Sequence, residues 1–256
     1  MHKGGAMTSP ERDFPVIAGI QRLTLIDYPG RIACTVFLAG CNFRCPFCQN
    51  AALLDGGLPE PIQPDIFLSF LKKRRGLLSG VCVSGGEPLL HPGLKNLLLS
   101  LKELGYAVKV DTNGSDPDRL KDLCREKLID AVAMDIKAAP EKYPAATGTP
   151  GLAVSPVLES AAFLMEGRLP YEFRTTVVEE LHDDGDFYAI GRWLAGARRY
   201  FLQGFEDRGG NLKPGLHACS PEKMKRYLNL LKQTIPAAQI RGQSFKGEQN
   251  VSCYQA

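Results

Sequence analysis

The chain has 256 residues, 44% hydrophobic and 23% charged, which is enough apolar material for a full core and excludes a disordered, highly charged polypeptide. Its net charge of +3 is spread along the chain apart from Lys72-Lys73-Arg74-Arg75 and Arg198-Arg199, so a nucleic-acid partner is not expected. No apolar run reaches the roughly 18 residues that span a bilayer, and the first 15 residues lack the apolar core of a secretory signal, so no membrane attachment and a cytoplasmic location are expected.

Residues 1–14 and 242–256 are polar and read as flexible tails flanking one folded unit over 15–241. Within that unit, β-rich apolar runs fall near 31–38, 79–84, 106–111, 130–135, 171–178, 199–203 and 237–241. They alternate with helical patterns near 64–75, 92–104, 116–127, 152–167, 183–197 and 220–234. Pro64-Asp65, His91-Pro92, Asp116-Pro117-Asp118 and Ser220-Pro221-Glu222 supply helix starts, and Gly105 a stop. The cation run 72–75 then falls in a last helical turn, where it complements the helix dipole. Six βα repeats are too few for an eight-unit barrel. The expected fold is therefore α/β, a partial open (β/α)6 barrel of parallel strands with outer helices, with a flat doubly wound sheet as the alternative. In both, chemistry belongs at the C-terminal ends of the strands.

Eight cysteines in a chain this long, with no export signal, point to metal or redox chemistry rather than disulfides. Cys41, Cys45 and Cys48 lie within eight residues, directly after the strand near 31–38. Thiolates select zinc or iron-sulfur among metals. Structural zinc wants four protein ligands, and no second CxxC or HxxxH follows. Three ligands leave one position open, which in a cubane cluster is a single iron able to bind a further ligand; zinc and free thiols remain the alternatives.

The pattern Cys41-x3-Cys45-x2-Cys48, with Phe47 before the last cysteine, resembles the signature of radical S-adenosylmethionine (radical SAM) enzymes. The resemblance implies a [4Fe-4S] cluster whose unique iron is chelated by the cofactor's methionine amino and carboxylate groups, with Phe47 beside it. Gly85-Gly86-Glu87-Pro88, at the end of a strand, resembles the family's GGEP motif, which binds that amino group. On physics alone, the glycines let backbone approach a ligand and the carboxylate can pair with an ammonium. Asp111-Thr112-Asn113-Gly114 and Asp135-Ile136-Lys137 end the next two strands and would by themselves be turn residues. The resemblance implies that Asp111 and Lys137 contact the cofactor and that Asp111, Thr112 and Asp135 help hold a monovalent cation. Arg174 alternates with apolar neighbours on its strand and needs an anion, either the cofactor or a structural carboxylate. Where pyruvate formate-lyase activators carry a cofactor-contacting histidine, this chain has Gln203.

Gly19 to Gly30, including Ile26-Asp27-Tyr28-Pro29-Gly30, resembles the activating proteins of anaerobic ribonucleoside-triphosphate reductase, and the likeness extends over about 16–241. It implies abstraction of a glycine α-hydrogen on a partner glycyl-radical enzyme, with electrons from a low-potential donor such as flavodoxin or ferredoxin. A radical enzyme acting on a small molecule and a non-catalytic metal-binding module are the other readings. On local physics, 26–30 is a turn between two strands. Cys34, Cys82 and Cys124 read as small buried hydrophobes, His91, His182 and His217 as helix-start or loop residues, and Cys219 and Cys253 have no assigned role.

Overall fold

The computed structural model describes residues 13–54, 60–207 and 209–242. Most of both expected tails, Cys253 and part of the loop at 50–63 lie outside that range. Eight strands form one sheet in chain order: β1 (Ile17–Thr24), β2 (Ala33–Leu38), β3 (Gly80–Gly85), β4 (Ala107–Thr112), β5 (Ala131–Asp135), β6 (Tyr171–Val177), β7 (Tyr200–Gly204) and β8 (Ala238–Arg241). β1 runs antiparallel to β2 and all later neighbours are parallel. β1 and β8 do not pair, so the sheet stays open. The helices are α1 (Pro64–Lys73), α2 (Leu94–Glu103), α3 (Pro117–Arg125), the single turn α4 (Tyr143–Ala146), α5 (Ser155–Met165), α6 (Asp184–Trp193) and α7 (Pro221–Lys232).

Leaving α4 aside, one helix joins each successive pair of parallel strands, giving the six units of a partial (β/α)6 barrel. The seven strand expectations lie within two residues of β2 to β8. β1 had no counterpart among those runs, because residues 21–23 in its middle are exposed and it lacks a continuous apolar stretch. The start signals act as caps: Asp116 accepts from Arg119 N at 3.0 Å, Ser220 from Lys223 N at 3.2 Å, and Asp183 and Asp186 form a capping box on α6. Lys72 and Lys73 close α1 and are solvated, as expected. No helix among the described residues is long and apolar enough to cross a membrane.

Two faces of the sheet carry opposite chemistry, as the two-residue period of a strand requires. Val108 and Val110 of β4, Val132 and Met134 of β5 and Phe173 of β6 join a core completed by Leu97, Leu98 and Leu101 of α2 and by Leu120 of α3. The alternate positions Lys109, Asp111, Glu172 and Arg174 turn inward, where they pair with one another or with Arg241. The barrel interior is thus ionic. Its floor includes Tyr28, whose ring packs on Gly80: a Cβ there would lie 2.9 Å from Tyr28 Cδ1. Asp27 accepts from Thr35 Oγ1 at 2.6 Å. The segment 26–30 is therefore the turn between β1 and β2 and also a plug under the barrel.

Candidate active site

At the C-terminal ends of the strands a single cleft gathers residues from six successive connections. The loop after β2 gives Cys41, Cys45, Phe47 and Cys48; β3 gives Ser84, Gly85 and Gly86; β4 gives Asp111, Thr112 and Asn113. Asp135 and Lys137 follow from β5, Arg174 and Thr176 from β6, and Gln203 from β7. Of the residues anticipated for the site, only Glu87 does not line it.

The cysteine loop is held rigidly before any metal arrives. Gly40 N donates to Leu53 O at 2.8 Å, Arg44 N to Thr147 O at 2.8 Å and Lys213 N to Pro46 O at 3.0 Å. Phe43 is 1% exposed and anchors the loop in the core. Burial pushes the Cys41 and Cys45 thiols up, Cys45 to about 11, with Lys137 opposing the shift. Both are protonated near neutrality, so uptake of a metal centre must expel their protons.

Gly85 and Gly86 are required by the chain itself. Gly85 has φ +116°, and a Cβ there would lie 2.3 Å from Leu38 N. A Cβ on Gly86 would lie 1.8 Å from Gly40 O, while Gly86 N donates to Leu38 O at 2.9 Å and Glu87 N to Gly40 O at 2.9 Å. The glycines thus weld the end of β3 to the start of the cysteine loop. Gly86→Ala is expected to cost about 3 kcal/mol or more of folding stability, because the clash is with backbone that cannot rotate away. Urea unfolding of the metal-free chain measures it, and an unchanged midpoint would refute the close packing.

Glu87 was read as a carboxylate free to meet an ammonium; it is fully buried, accepting from Thr112 Oγ1 at 2.7 Å, Asn113 N at 2.6 Å and Leu89 N at 3.0 Å. Burial raises its carboxyl to about 7 against those hydrogen bonds. It ties β3 to β4 and does not face the cleft. Asp111, Thr112 and Asp135, expected around a monovalent cation, all line the cleft, and the two carboxylates are paired with protein cations. Arg174 Nε donates to Asp135 at 2.9 Å and its Nη1 to Asp111 at 3.1 Å. Lys109 pairs with Asp111, Lys137 Nζ donates to Asp135 at 3.1 Å, and the Thr112 hydroxyl donates to Glu87. Burial alone would raise Asp135, but Arg174 and Lys137 outweigh it and hold it at about 2. Arg174 thus lines the cleft and is ion-paired with both carboxylates.

Other residues at the site were not singled out from sequence. Lys109 is 2% exposed and lies two residues before Asp111, so its place on the same inward face was readable from the strand period. His182 is buried; its Nδ1 lies 3.0 Å from Val178 N and its Nε2 2.9 Å from the carbonyl of Lys137, fixing the loop that carries that lysine. Burial lowers its pKa and keeps it neutral. Asn50 Nδ2 donates to Gly85 O at 3.1 Å. Cys34 and Cys82 are fully buried as expected, and Cys124 is partly so.

A family model described as the radical SAM superfamily matches residues 35–187. The chain belongs to the radical SAM superfamily. A Methanocaldococcus jannaschii protein, named provisionally as a glycyl-radical enzyme activating enzyme, is 31% identical over 75% of this chain and 81% of its own length. The pyruvate formate-lyase-activating enzyme of Listeria monocytogenes is 29% identical over 66% of this chain and 71% of its own. Streptococcus suis SuiB, in a crystal structure bound to S-adenosylmethionine, shares the fold with a TM-score of 0.61 at 14% identity, over 79% of this chain and 48% of that one.

Membership of the radical SAM superfamily implies a [4Fe-4S] cluster and S-adenosylmethionine, and the donor set fits both. No three acidic, histidine or cysteine side chains among the described residues converge tightly enough for one metal ion. A single zinc needs its thiolates within about 2.3 Å of one point, whereas in a cubane each thiolate binds its own iron. Three thiols that share one cleft with Lys137 and Asn113 match the larger centre.

Proposed function

We propose that this radical SAM protein activates a glycyl-radical enzyme, with Cys41, Cys45 and Cys48 as the ligands of its cluster. The observation that carries the reading is the meeting of all three thiols with the C-terminal ends of β3 to β7 in one cleft. Cluster and S-adenosylmethionine together supply reductive cleavage of the sulfonium and a radical able to take a glycine α-hydrogen. This chain's residues bind, orient and exclude water. Phe47, Gly85 and Gly86 shape the wall beside the thiols, and Lys137 presents an ammonium fixed by Asp135 that suits the cofactor's carboxylate. Asp111, clamped by Arg174 and accepting from Ser84 Oγ at 3.3 Å, presents a carboxylate edge suited to the cofactor's donors. Gln203, near the end of β7, lines the same cleft and offers an amide in the stretch where a histidine of related activators would fall.

The substrate we assign is a glycine of an anaerobic ribonucleoside-triphosphate reductase, with electrons from a flavodoxin or ferredoxin. The supports are the likeness of residues 19–30 to that group of activators and the M. jannaschii relative. The test is electron paramagnetic resonance of the reductase after anaerobic incubation with the loaded protein, reductant and S-adenosylmethionine. A glycyl doublet, lost when the reductase's radical-bearing glycine is replaced by alanine, is expected. Cofactor cleavage without any doublet would remove the reductase as partner.

A further inference from the structure

We propose that Asn113 donates a side-chain hydrogen bond to the sulfur of Cys41 and thereby raises the reduction potential of the cluster. The inference rests on the reading of Cys41 as a cluster ligand.

The geometry leaves the Asn113 carboxamide one orientation. Its Oδ1 accepts from Ser115 N at 2.9 Å, so the oxygen is committed to the turn after β4. The NH2 group therefore faces the cysteine loop and has two protons to place. One goes to Asn42 Oδ1 at 2.9 Å and the other to Cys41 Sγ, with Nδ2 3.8 Å from the sulfur. Asn42 is held from the far side by its own Nδ2 donating to Ser115 Oγ at 2.9 Å. The backbone of Asn113 is equally fixed, through its N–H to buried Glu87. Asn113 itself is 6% exposed, so water competes little for its protons.

A donor aimed at a thiolate sulfur withdraws charge from the iron it binds. Because reduction adds an electron to the cluster, the bond is stronger in the reduced state and favours reduction. Asn113 acts through Cys41 and is a positioning residue. Glu87, which ties β3 to β4, also holds the turn that aims the amide.

The test is a reductive titration of reconstituted protein followed by electron paramagnetic resonance. The comparison is between wild type, Asn113→Ser, Asn113→Ala and Asn42→Ala. Serine can still accept the Ser115 N–H in the same kind of turn but cannot reach the sulfur. Both Asn113 variants are expected to hold a full cluster whose reduction equilibrium falls about tenfold, a midpoint about 59 mV more negative. Asn42→Ala, which removes an acceptor from the Asn113 amide and from Cys41 but takes no donor from the sulfur, should leave the midpoint unchanged. Wild-type midpoints in the Asn113 variants would overturn the proposal, and so would an equal shift in Asn42→Ala or loss of the cluster in the Asn113 variants alone. If Cys41 is no ligand, Cys41→Ala keeps a full cluster, and the underlying reading fails separately.

Discussion

Alanine at any one of Cys41, Cys45 or Cys48 is expected to take S-adenosylmethionine cleavage to background and to remove the visible absorption of the reconstituted cluster. All three thiols line one cleft in a loop pinned from three sides, so loss of one leaves an iron without its ligand in a site that cannot rearrange to supply another. Pairs of these substitutions should cost no more than single ones, because the ligands act as a unit. Cys82→Ala is the control: Cys82 is fully buried on β3 and does not line the cleft. It should keep its iron, and a Cys82 variant without iron would show the ligand set to be wrong.

Arg174→Ala is expected to destabilise the fold by about 3 kcal/mol, since it removes the guanidinium that two carboxylates share and leaves each with one lysine. Arg174→Lys should recover part of that, keeping the charge but not the fork that reaches both aspartates. The pH dependence follows from the sign of the shift on Asp135. Its folded pKa lies below the ordinary carboxylate value, so its contribution is present above that ordinary value and is lost as pH falls through about 2. Without Arg174, Asp135 keeps only Lys137 and protonates at higher pH, and acid unfolding should begin at higher pH than in wild type. Urea titrations at several pH values measure both effects. Equal acid midpoints in wild type and Arg174→Ala would contradict the assigned network.

The barrel was readable because these parallel strands are buried on both faces, which leaves short apolar runs such as Val81–Val83 and Val132–Met134. β1 was harder to see because it lies at an open edge, with residues 21–23 exposed. The site was legible as a set of motifs at strand ends, and those motifs do meet. Side-chain direction was not legible. Glu87 lies two residues after Gly85, whose φ is +116°, and its carboxylate sits behind the cleft wall on Thr112, and no spacing rule reports that turn. The protein partners of the two aspartates were not legible because Arg174 lies 39 residues beyond Asp135 and 63 beyond Asp111, on another strand. Sequence placed Arg174 on an inward face but could not say which anions it would meet. His182 is a parallel case, bound to a carbonyl 45 residues away.

The central claim is that this cleft binds a [4Fe-4S] cluster on three cysteines and uses it on S-adenosylmethionine. The most direct measurement is chromatographic assay for 5′-deoxyadenosine after anaerobic reconstitution with iron and sulfide, reduction, and addition of S-adenosylmethionine. Formation of 5′-deoxyadenosine by wild type and its absence from Cys45→Ala is the predicted result. Iron and sulfide bound at full occupancy with no cleavage, even with the reductase present, would contradict the account.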